Sequence, residues 1–181
     1  MRGLARADIV LPTMRSLIAV IGSAEATEAD VSVAETVGSG LASAGAIVVC
    51  GGLGGVMAAA CRGAKSAGGL TVGILPGHDV SAANAWVDVA IPTGLGEARN
   101  FLVVSSATAV IAVGGEYGTL SEIALARRAG IPVIGIGTWS LIRPDGTIDQ
   151  AIIEVKDPSE AVEVALRLAS SGREGSSTSS P

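Results

Sequence analysis

Three apolar runs in this chain end on glycine, and they constrain the fold more than any other feature. They read LIAVIG (17–22), AIVVC followed by GGLGG (46–55), and TAVIAV followed by GG (108–115). A strand with one wet face alternates apolar and polar residues. A continuous run needs cover on both faces, which is the mark of a parallel sheet sandwiched between helices. TVGIL (71–75) and IPVIGIG (131–137) repeat the pattern, and WVDVAI (86–91) alternates weakly, as a short edge strand does.

Helical segments fall between these runs. TEADVSVAETVGSGLASAG (27–45) opens on Thr27 and Asp30 at capping-box spacing and stops at Gly45. Further helices are expected over 55–67, 96–107, 119–129 and 157–170, the last with Pro158 at its first position. Gly38 and Gly40 conflict mildly with the first helix, since an interior glycine costs about 1 kcal/mol. Strands alternating with helices give a three-layer α/β architecture: a doubly wound, mainly parallel sheet with helices on both faces. At 181 residues the expectation is one domain over 1–170, with 1–15 a loose extension and 171–181 a small, polar, disordered tail. The core is aliphatic: hydrophobic residues make up 49% of the chain and aromatics only 2%.

In such sheets the ligand crevice lies at the carboxyl ends of the strands, where strand order reverses. The runs ending at Gly22–Ser23, Gly51–Gly52 and Gly114–Gly115 all open onto that edge. The helix after GGLGG starts at Gly54 and Gly55 with no Ser, Thr, Asp or Asn to cap it, which suits a bound phosphate. The plainer reading is a tight strand-to-helix turn with water on its amides. The second loop, VGGEYGTLSEIALA (113–126), sets Gly114, Gly115 and Gly118 around Thr119 and Glu122. T-L-S-E is also capping-box spacing, so Thr119 and Glu122 read equally as an ordinary helix start. Glu122 lies off the apolar stripe of its helix, toward the strand ends. Arg99, in GEARNF, is either a solvated arginine or a partner for a ligand phosphate or for Glu122.

Composition removes several function classes. The net charge of −5 and the lack of a basic stripe argue against a nucleic-acid partner and against a DNA-processing role. His78 is the only histidine, which excludes a Ser-His-Asp triad and a multi-histidine metal site. Cys50 and Cys61 have neither disulfide nor zinc spacing and read as small buried residues, so no metal is expected. No leader or membrane-spanning run is evident, so the expected setting is the cytoplasm, with no membrane partner.

The segment VGGEYGTLSEIALA resembles the signature of the Lonely guy (LOG) family, proline-glycine-glycine-x-glycine-threonine-x-x-glutamate, with Val113 in place of the proline. These proteins were formerly mislabelled lysine decarboxylases. The resemblance implies a Rossmann-like fold, and several members are phosphoribohydrolases that release the base from nucleoside 5′-monophosphates. GGLGGVMAAACRGAKSAGGLTVGILPG and VDVAIPTGLGEARN, taken with the first segment, are more similar still to the molybdenum-cofactor carrier branch, over roughly residues 17–140. That branch implies binding of molybdenum cofactor (a molybdopterin) or a similar phosphorylated pterin or nucleotide, in a homodimer or homotetramer. By the same match, Arg99 and Glu122 take the positions of the hydrolase's catalytic pair, and Gly115, Gly118 and Thr119 those of its phosphate loop. Asn100 stands where the hydrolase has a lysine. Pyridoxal phosphate is excluded, because it needs a Schiff-base lysine and neither Lys65 nor Lys156 lies near a strand end. Two readings stay open: a carrier that holds a small phosphorylated ligand at Gly22, Ser23, Gly51, Gly52, Gly54, Gly55, Asn100 and the second loop, and a hydrolase using Arg99 and Glu122.

Overall fold

A computed structural model describes residues 15–174. In chain order the elements are β1 (Leu17–Gly22), α1 (Glu28–Ser43), β2 (Ile47–Cys50), α2 (Gly55–Ser66), β3 (Thr71–Leu75), β4 (Val89–Pro92), α3 (Asn100–Ser105), β5 (Ala109–Val113), α4 (Tyr117–Arg128), β6 (Val133–Ile136), β7 (Ile152–Glu154) and α5 (Pro158–Glu174). Short 3₁₀ turns cover Val80–Ala82 and Gly96–Arg99. The sheet order is β4-β3-β2-β1-β5-β6-β7, and every pairing is parallel. The chain winds outward from β1 to β4, returns to β5 beside β1, and winds outward the other way. The switch point is therefore the β1–β5 seam.

Each apolar run is buried because both faces are covered. In β1, Ile18 and Val20 enter a core with α1, α2 and α5, while Ala19 and Ile21 enter a second core with α3 and α4. Strand β5 divides the same way, Ile111 facing the first core and Val110 and Ala112 the second. The layers are thus α/β/α, a Rossmann-like arrangement. Among the described residues no helix is long and apolar enough to cross a membrane.

The capping box of α1 is present: Thr27 Oγ1 accepts from the Asp30 amide at 3.2 Å, and Asp30 Oδ2 accepts from the Thr27 amide at 3.2 Å. Gly38 is no flaw in that helix. A Cβ there would strike the Ala60 carbonyl of α2, and one on Gly63 would strike the Glu35 carbonyl of α1. The glycines let the two backbones cross in contact.

Several expected boundaries move. Helix 96–107 is a 3₁₀ turn followed by the short α3. The edge strand begins at Val89 rather than at 86; just before it, Thr71 bonds Trp86 and Asp88 through its side chain and backbone. Strand β7 has no counterpart in the sequence reading. Helix α5 continues to Glu174, past the expected end at 170. The remainder of the proposed tail, and residues 1–14 of the proposed extension, lie outside the described residues.

Candidate functional site

A cavity of about 330 Å³ opens at the carboxyl ends of β1, β2 and β5, on the switch point. Its walls combine the strand ends (Ile21, Gly22, Ser23, Gly51), the start of α4 (Glu116, Gly118, Thr119, Glu122) and the turn into α3 (Glu97, Arg99, Asn100). Leu53, Met57 and Pro76 supply an apolar side.

Helix α4 begins at Tyr117, two positions before Thr119. That settles the T-L-S-E ambiguity. Thr119 and Glu122 lie inside the helix, so the capping-box reading is corrected. The residue in the cap position is Glu116, and no side chain caps the helix. The first amides of a helix have no intrahelical carbonyl partner, and here they border the cavity. A Cβ on Gly118 would meet nothing within 4 Å, so that turn faces open space.

Arg99 is not a solvated arginine. It is only 7% exposed, and its guanidinium lies against Gly51, where a Cβ would fall 2.6 Å from Nη2. Nη1 donates to Asn100 Oδ1, and among the described residues Nε has no partner. Glu122, also 7% exposed, approaches Arg99 only to 3.8 Å. Burial pushes the Glu122 carboxyl up to about 7, and the nearby Arg99 charge pulls it back only in part. Among the described residues Arg99 is the only cation lining the cavity, while Glu97 and Glu116 stand exposed at its rim.

The structure thus brings together Gly22, Ser23, Gly51, Arg99, Asn100, Gly118, Thr119 and Glu122. Gly52, Gly54, Gly55, Gly114 and Gly115 do not line the cavity. Gly55 packs on the Ser23 and Ala24 carbonyls, Gly114 on Asp30, and Gly115 on Thr119. Helix α2 is uncapped by side chains, as expected, but two amides near its start are committed internally. Val56 N–H donates to Ser23 O at 3.0 Å, and Gly52 N–H to Cys50 Sγ at 3.3 Å. Glu97, Glu116, Leu53 and Met57 were missed. Both glutamates stand inside the quoted motifs, so their charge was the available signal. Cys50 and Cys61 are buried as expected, yet their Sγ atoms meet at 3.5 Å under the Gly51 loop. The Cys50 thiol is held well up by its contact with Cys61 and by burial.

The cavity thus offers an uncapped helix start, one buried guanidinium and an apolar wall. Residues 15–165 match the sequence model of the SLOG cluster4 family. The chain belongs to that family. An uncharacterized protein of Archaeoglobus fulgidus is 48% identical over 113 residues, covering 62% of this chain and 74% of the relative. Among solved structures, the molybdenum cofactor binding protein from Rippkaea orientalis superposes with a TM-score of 0.77 at 34% identity, covering 86% of this chain and 98% of the other. The Moco carrier protein from Chlamydomonas reinhardtii gives 0.76 at 34% identity, covering 87% and 99%. The resemblance to the carrier branch read from the motifs is therefore matched by both sequence and fold.

Proposed function

We propose that the protein binds molybdenum cofactor, or a closely similar phosphorylated pterin, as a carrier. One observation supports this most: a buried guanidinium with an unpartnered Nε beside the uncapped start of α4, at the switch point of a fold shared with cofactor carriers. In this reading Arg99 and the Gly118 and Thr119 amides hold the ligand's phosphate. Ile21, Leu53, Met57 and Pro76 take the ring system. Gly51 leaves the guanidinium its room. Binding needs no bond to break. A carboxyl that titrates at about 7 is only part-ionised near neutral pH, which lessens its repulsion of an incoming phosphate.

Titration of the purified protein with molybdenum cofactor released anaerobically from a molybdoenzyme tests this. Saturable binding is expected, and Arg99→Ala should abolish it. No saturation at micromolar concentrations removes the reading.

A second reading rests on Glu122 alone. A buried carboxyl that titrates at about 7 has the proton affinity of a general acid or base, and a nucleoside 5′-monophosphate hydrolase needs such a group. Release of free base from a nucleotide panel, stopped by Glu122→Ala, would favour it. Self-association through α3 is supported by its exposed Phe101 (47%) and Leu102 (37%).

A further inference from the structure

Arg99 and Glu122 share one cavity and are both buried, and when Glu122 is ionised they carry opposite charges. Two such groups ordinarily close into a hydrogen-bonded, two-pronged pair, since an unpaired buried charge is costly. Here they do not. The nearest approach is 3.8 Å and no hydrogen bond joins them. Something holds the guanidinium away.

We propose that Asn100 is a positioning residue that keeps Arg99 off Glu122, so that the guanidinium stays available to the ligand's anion; the inference rests on the reading of this cavity as an anion site. The restraint is a chain of three hydrogen bonds. Arg99 Nη1 donates to Asn100 Oδ1. Asn100 Nδ2 donates to Ser121 Oγ at 3.3 Å. Ser121 Oγ donates to the Gly118 carbonyl at 2.7 Å. The guanidinium is thereby tied to the same turn of α4 whose amides open on the cavity.

The amide of Asn100 has only one workable orientation. Flipped, its NH₂ would face the guanidinium, donor against donor. Its carbonyl oxygen would then face a hydroxyl whose hydrogen is committed to Gly118. Asparagine is also the right residue for the task. Aspartate would lose the donor to Ser121 and would itself pair with Arg99. Alanine would release the guanidinium toward Glu122. Gly51 closes the other side, because its missing Cβ is the space the guanidinium occupies.

Among the described residues the charged groups around this arrangement are few. Arg99 faces Glu122 from the turn into α3, while Glu97 and Glu116 stand at the rim of the cavity. From β2, the Cys50 thiol lies within the field of Arg99.

The test follows the Glu122 carboxyl by ¹³C NMR across pH in the ligand-free protein, so its outcome does not depend on knowing the ligand. Wild type should titrate at about 7. Asn100→Ala should let Arg99 close on Glu122 and weaken the carboxyl's hold on its proton by at least about tenfold. Ser121→Ala should move the midpoint the same way by less, and Ser121→Thr, which keeps the hydroxyl, should restore it. An unchanged midpoint in a folded Asn100→Ala protein overturns the proposal, since a space-filling asparagine would not move that titration. Should Asn100→Ala fail to fold, identical titrations of Ser121→Ala and Ser121→Thr overturn it instead. If wild type fails to bind molybdenum cofactor, the carrier reading falls while the titration still stands or falls by itself.

Discussion

Replacing Glu122 with glutamine should stabilise this protein above neutral pH and flatten its response to pH. In the unfolded chain the carboxyl ionises near its ordinary value of 4.5, and in the fold it keeps its proton until about 7. Below 4.5 both states are protonated and burial of the group costs no ionisation energy. Between those values the unfolded state releases its proton first, so stability falls as pH rises, and above the upper value the loss is complete. Each tenfold difference in proton affinity is worth about 1.4 kcal/mol, so the full loss is about 3 kcal/mol. That is a sizeable share of the roughly 5–15 kcal/mol that separates folded from unfolded domains. Glutamine has nearly the same shape and cannot ionise. Urea unfolding followed by Trp86 and Trp139 fluorescence, at intervals from about pH 5 to about pH 8, measures both profiles with the other titrating groups common to each. The difference between variant and wild type should grow by about 2–3 kcal/mol across that window. Parallel profiles would refute the reasoning, because they would mean that Glu122 is either already paired in the fold or well hydrated.

Two glycines carry opposite predictions. In Gly51→Ala the new Cβ falls 2.6 and 2.8 Å from the Arg99 guanidinium nitrogens and 2.8 Å from Met57 Sδ, all ends of flexible side chains. The fold should survive with a loss of about 1 kcal/mol, while calorimetric titration with molybdenum cofactor should show affinity reduced about tenfold or more; full affinity would mean that Arg99 does not reach the ligand. In Gly38→Ala the new Cβ meets the Ala60 carbonyl, which is backbone and cannot step aside. Thermal unfolding should show a loss of about 3 kcal/mol, and a variant as stable as wild type would disprove the contact between α1 and α2.

What the sequence discloses here follows from which signals are local. The parallel sheet was legible because a two-sided burial requirement is written into each run: Ile18 and Val20 serve one core, Ala19 and Ile21 the other. Strand β7 was not legible, since it is only three residues long, lies at the sheet edge and has Ile153 partly exposed. The start of α4 was misplaced because T-x-x-E spacing does not reveal whether the threonine is extended or already helical. Arg99 looks like any surface arginine in the sequence. What buries it is a glycine on β2's far loop, together with the neighbouring Asn100. The meeting of Cys50 and Cys61 is equally silent, because their spacing matches no disulfide or metal pattern and only the packing of α2 on β2 brings them together.

The two glycine loops looked equivalent in sequence, and the space around each residue separates them. At Gly22, Gly55, Gly114 and Gly115 a side chain would strike neighbouring atoms, so these residues let strand ends and helix starts approach closely. Around the α2 loop, Val56 N–H and Gly52 N–H already have partners in Ser23 O and Cys50 Sγ. That loop builds the floor of the cavity. At Gly118 the space is empty and no side chain caps the helix behind it. On the proposed reading an anion finds its donors at the start of α4 and on Arg99, so Arg99→Ala and Gly51→Ala should damage binding far more than any change that merely loosens the α2 loop.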